Sequence, residues 1–113
     1  MPGKLTTHVL DIADGIPAAG VKVSLYRDGK LLHSAITNQN GRLDSPLLSG
    51  DQLIKGSYRL EFSIGEYFAA RGNNDAGRFL TVVPIAFEID EPGRDYHVPL
   101  LVSPWSYTTY RGS

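Results

Sequence analysis

Two histidines, an arginine behind a turn and a polar C-terminal tetrapeptide are the groups in this chain best suited to chemistry. His8 falls in Leu5-Thr6-Thr7-His8-Val9-Leu10, where strand alternation sets it on one face with Thr6 and Leu10. His97 shares a face with Pro99 and Leu101, while Tyr96, Val98 and Leu100 take the opposite one. A neutral imidazole near its ordinary pKa, about 6.5, takes a proton from water at neutral pH. With two imidazoles, one can orient or polarise while the other removes the proton. Arg42 follows Asn40-Gly41, so it stands just after a turn and can reach over a concave surface. Its planar fork of donors suits carbonyl and enolate oxygens, or an oxyanion developing on attack. Tyr110-Arg111-Gly112-Ser113 follows directly on Trp105-Ser106-Tyr107-Thr108-Thr109, a run rich in strand formers. A chain end normally frays. One continuous with a strand can be held in place and lend its polar tip to a site.

Taken singly, each group has a plainer reading. A strand histidine can be half-buried against a backbone carbonyl, and an arginine after a turn is by default a solvated charge. His33, on a predicted hairpin strand, keeps the plainer reading. Other chemistries find less support. Without cysteine there is no thiolate nucleophile or ligand and no disulfide. Zinc takes three or four N, S or O ligands, and His8, His97 and a carboxylate such as Asp11 form the one set available in principle. No serine lies in a Gly-x-Ser-x-Gly elbow. The expectation is therefore a site without metal or cofactor.

These groups need a scaffold, and 113 residues suffice for one domain, residues 1–113, with a single core. A net charge of −1 with scattered Lys and Arg argues against nucleic acid or an anionic membrane as partner. No apolar run is long enough to cross a bilayer. Met1-Pro2-Gly3-Lys4 leads into a strand pattern without a signal-peptide core, so the expected location is cytoplasmic.

Period-two alternation runs through residues 5–10, 21–26, 57–64 and 83–89, and a further strand fits 96–103. Asp28-Gly29 supplies a hairpin turn into a strand over 30–37, and Ser103-Pro104 turns the chain into a last strand. Ser63-Ile64-Gly65-Glu66 has capping-box spacing, predicting a short helix over 67–71 stopped by Gly72. About seven to eight strands and one short helix argue for an antiparallel β-sandwich.

The motifs together resemble the transthyretin-related 5-hydroxyisourate hydrolases. Leu5-Thr6-Thr7-His8-Val9-Leu10-Asp11, with Gly15-Ile16-Pro17-Ala18 and Gly20-Val21, is similar to that family's N-terminal signature. Asn40-Gly41-Arg42 resembles its central motif. His97–Pro104 and Ser106–Ser113 resemble its C-terminal pattern, so the likeness spans essentially the whole chain. The resemblance implies a transthyretin-like sandwich that hydrolyses 5-hydroxyisourate to 2-oxo-4-hydroxy-4-carboxy-5-ureidoimidazoline in urate breakdown. It implies His8, Arg42, His97 and Ser113 as catalytic, and His8, Arg42, Tyr110 and Ser113 as contacts of the substrate. Arg111 is expected instead to hold the tail. Relatives form homotetramers, dimers of dimers whose sites line a channel, and the same is expected here. Transthyretin carries a hormone on the same fold without catalysis, so a small-ligand carrier is the alternative. A β-sandwich interaction module without pocket chemistry is a third class. The histidine pair, the arginine and the Tyr-Arg-Gly-Ser ending separate hydrolase from carrier.

Overall fold

A computed structural model describes residues 3–112. Two sheets enclose the core. The first contains β1 (Lys4–Asp11), β2 (Ile16–Pro17), β5 (Leu48–Ser49), β8 (Tyr96–Val102) and β9 (Tyr107–Thr109), with spatial order β2-β1-β8-β9 and β5 also on β1. The second contains β3 (Lys22–Arg27), β4 (Lys30–Ile36), β6 (Gly56–Phe62) and β7 (Val83–Ile89), in the order β4-β3-β6-β7. The single α-helix among the described residues, α1 (Ile64–Ala70), follows β6.

Alternation delivers the core as expected. Leu5, Thr7, Val9 and Asp11 of β1 are buried while the residues between them are not. Leu60 and Phe62 of β6 and Val83, Ile85 and Ile89 of β7 meet them from the second sheet. Burying a side chain of this size contributes about 1.5–3 kcal/mol. Asp28 and Gly29 both take positive φ, 50° and 79°. That is the twist a two-residue hairpin needs between right-twisted strands.

Three local readings need correction. The sandwich is not antiparallel throughout, because β1 and β8 run parallel in the middle of the first sheet. Two-residue strands β2 and β5 are too short to show alternation. α1 begins at Ile64, directly after β6, and no side chain caps it. Gly65 N–H reaches the Thr81 carbonyl at 2.9 Å instead, so a neighbouring loop satisfies what the Ser63/Glu66 box was expected to satisfy. Gly72 does end the helix, in the left-handed region at φ 75°, with Asn73 N–H returning to the Phe68 carbonyl at 3.0 Å.

α1 is fastened to the far end of β1 by a buried carboxylate. Asp11 Oδ1 accepts from the Ala13 and Asp14 N–H groups, both at 2.9 Å, and Oδ2 accepts from the Tyr67 hydroxyl at 2.7 Å. Arg71 bonds to Asp14, with Nη2 at 2.9 Å from Oδ2. Burial and the bonded carboxylate raise the Tyr67 phenol well above its usual range, so it remains a donor. Tyr67→Phe should therefore lower stability by about 1–3 kcal/mol, the cost of leaving a buried acceptor short of its donor. Chemical denaturation against the native protein measures this.

Candidate active site

The parallel pairing of β1 with β8 assembles the site. Its register sets Thr6 opposite His97 and His8 opposite Pro99. Side chains at these positions share the sheet face turned away from the core, so the two histidines lie diagonally across neighbouring strands. Both are half-buried. Thr6 Oγ1 lies 2.8 Å from His97 Nδ1. His8 Nε2 lies 2.9 Å from the Asn40 carbonyl oxygen. A carbonyl only accepts, so Nε2 of His8 carries the proton, and in the neutral ring Nδ1 keeps the lone pair.

Arg42 reaches this face from the loop after β4. Asn38 organises the loop: its side-chain oxygen accepts from the N–H groups of Asn40 at 2.9 Å and Arg42 at 3.2 Å. Its amide donates to Asp44 Oδ1 at 2.9 Å. Gly41 then turns with φ 75° and lies so close to β1 that an added Cβ would stand 2.3 Å from the Val9 carbonyl oxygen. Val9 N–H donates to the Gly41 carbonyl at 2.8 Å, and Arg42 forms an isolated antiparallel bridge with His8. Among the described residues Arg42 makes no ion pair, and it lines a pocket with Lys4, Thr6, Leu43 and Ser45.

The tail arrives from the opposite side of β8. β9 pairs antiparallel with β8, Leu100 opposite Thr109, and the same register recurs where Gly112 bridges His97. Gly112 N–H donates to the His97 carbonyl at 2.7 Å. An added Cβ on Gly112 would stand 2.6 Å from His97 Cδ2, so the glycine covers that edge of the ring. Between these anchors the register brings Tyr110 opposite Pro99, on the face of the histidines. Arg111 falls on the opposite face, 4.2 Å above the Tyr96 ring, with Nη2 donating to the Asp95 carbonyl at 3.1 Å. It holds the tail, as expected.

Burial and charge depress both imidazoles below the ordinary histidine value. For His8, burial acts most strongly and the Arg42 charge adds to it, while the Asn40 carbonyl opposes them. For His97 the order is burial, Arg42 and then His8. Both rings are accordingly neutral, lone-pair-bearing bases at neutral pH.

His8, Arg42, His97 and the tail thus converge on one face, with Tyr110 beside them. Ser113 lies outside the described residues. Asp11 is on the core side and bonded to Tyr67, so it cannot complete a metal site with the histidines. Among the described residues no cluster of His, Cys, Asp or Glu has metal-ligand geometry. His33 is on β4, in the other sheet. Sequence reading overlooked the parts of Thr6 and Asn38. A hydroxyl two residues before a strand histidine, and an asparagine two residues before Asn-Gly, were the signals available.

Two sheets with a short helix after the sixth strand, and a polar cluster on the outer face of the first, define a transthyretin-like β-sandwich. Solved structures agree. Over 99% of this chain, the crystal structure of an (S)-allantoin synthase superposes with a TM-score of 0.94 at 45% identity, although the chain spans only 44% of that one. Sea bream transthyretin in complex with thyroxine matches at 0.86 and 30% identity, over 96% of this chain and 94% of its own. A 5-hydroxyisourate hydrolase of Halalkalibacterium halodurans is 50% identical over the full length of both chains. The chain belongs to the HIUase/Transthyretin family, whose model matches residues 5–112.

NMR titration of the ring protons should give both His8 and His97 a pKa below the usual 6.5. In Arg42→Ala the loss of a neighbouring positive charge should raise both values, because the imidazolium forms are no longer repelled. Unmoved values would mean that the guanidinium does not face the rings.

Proposed function

We propose that this protein hydrolyses 5-hydroxyisourate to 2-oxo-4-hydroxy-4-carboxy-5-ureidoimidazoline. The observation that carries the reading is the convergence of two depressed imidazoles and an unpaired guanidinium on one sheet face. The 50% identity to a 5-hydroxyisourate hydrolase supports it. An imidazole of the His8/His97 pair takes a proton from water, whose oxygen adds to the ring carbonyl carbon. Arg42 steadies the oxyanion, and the adjacent C–N bond breaks. The carbon leaves as the carboxylate of the product and the nitrogen, receiving the proton, as its ureido group. Tyr110 and Ser113 are assigned hydrogen bonds that orient the substrate ring or the water. The chemistry requires no metal or cofactor.

The reading extends to assembly. Among the described residues β7 and β9 are edge strands, and Tyr107 and Tyr110 are 41% and 58% exposed. Pairing of such edges between copies protects them. A second dimer laid over the first sheet closes the open site, giving a homotetramer of one domain, residues 1–113. Among the described residues no helix is long and apolar enough to cross a membrane, and the reading places the enzyme in the cytoplasm.

Freshly generated 5-hydroxyisourate, followed by its ultraviolet absorbance, should decay faster with the protein than without. His97→Asn and Arg42→Ala should each lower kcat by roughly 100-fold or more, the usual worth of a general base or an oxyanion donor, with the melting temperature near native. Saturable binding of a hydrophobic phenol without any turnover would instead support a carrier of the transthyretin type. Gly112→Ala should also cut activity severely while costing little stability, since its methyl must displace either the tail or the His97 ring. Native rates in that variant would remove the tail from the site.

A further inference from the structure

The His97 ring is held on two of its edges. Thr6 Oγ1 sits on Nδ1 at 2.8 Å, and Gly112 closes over Cδ2. Only Cε1 and Nε2 remain open. A neutral imidazole carries one proton, and which nitrogen holds it is decided by the partner of the other. A threonine hydroxyl both donates and accepts, so Thr6 alone leaves both tautomers open. Arg42 removes that ambiguity. A guanidinium offers only donors and a positive charge, which favours a lone pair, not an N–H, on the open nitrogen.

We propose that Thr6 is a positioning residue for the reaction: its hydroxyl accepts a hydrogen bond from Nδ1–H of His97, locking the tautomer in which Nε2 faces the site with its lone pair free to take the proton from water. The role rests on the hydrolase reading above and adds to it. His97 becomes the general base. His8, whose Nε2–H is committed to the Asn40 carbonyl, becomes its orienting companion. Thr6 touches neither water nor substrate in this scheme. Its own proton turns away from the ring, and no net proton transfer passes through it.

Thr6→Val keeps the β-branched shape and the strand while removing the acceptor, and Thr6→Ser keeps the acceptor. Long-range proton–nitrogen NMR of the full-length protein, with the His97 signals identified by their loss in His97→Asn, reads the tautomer directly. The native ring should be protonated at Nδ1, and in Thr6→Val it should populate both tautomers. In the 5-hydroxyisourate assay, kcat of Thr6→Val should fall on the order of tenfold, the worth of one well-made hydrogen bond, with KM near native. Thr6→Ser should recover most of the loss. A native ring protonated at Nε2, or a Thr6→Val enzyme with native kcat, overturns the proposal. A native protein that leaves the substrate at its spontaneous rate overturns the hydrolase reading instead, and the tautomer measurement still decides whether Thr6 sets the ring.

Discussion

The hydrogen-bonded register between β1 and β8 is the constraint on which the rest of the structure depends. It joins residues ninety-one apart in sequence, Thr6 to His97 and His8 to Pro99, and every other part of the site is placed relative to those two strands. Because side chains alternate, a slip of one residue would send an imidazole into the core and a core side chain to solvent. Register and burial therefore enforce each other. Leu5, Val9, Val98 and Leu100 must be inside, and the histidines are outside as a consequence.

Three cationic or protonatable groups sit on that outer face without a bonded carboxylate among the described residues. Such a cluster is costly if all of it is charged. The cost is avoided in the rings, which stay neutral beside a guanidinium that cannot deprotonate. The arrangement is thus self-consistent as a base-and-oxyanion site. The same positive charge that holds the imidazoles unprotonated also favours negative charge arriving on a substrate.

Much of the fold was legible in the chain because half-buried strands advertise themselves. Tyr58, Leu60 and Phe62 alternate with Ser57, Arg59 and Glu61, and the hairpin at Asp28-Gly29 carries its own backbone signature. Strand direction was not legible. Nothing local tells that β1 pairs parallel with a strand from the other end of the chain. The helix start was misplaced because Ser63 and Glu66 have the right spacing but a loop carbonyl at Thr81 serves Gly65. Of the site, the histidines, Arg42 and the tail were legible as residue types in motifs. Thr6 and Asn38 were not, since their roles are hydrogen bonds to groups placed by tertiary structure, and a hydroxyl or amide in isolation has many uses.

Pro99 carries a consequence of a different kind. The residues of β8 that point their backbone groups toward the tail are His97, Pro99 and Leu101, and the middle one has no N–H to give. The ladder lacks a rung opposite Tyr110, and the Pro99 carbonyl is taken by the Thr109 hydroxyl at 2.7 Å. Beyond that point the tail holds by the Gly112 amide and the Arg111 clasp. A segment so lightly tied opens locally at far smaller free energy than the whole domain. β9 and the last residues are therefore separate units of stability, one fixed with the sheet and the other a latch whose exchange with solvent runs on its own clock.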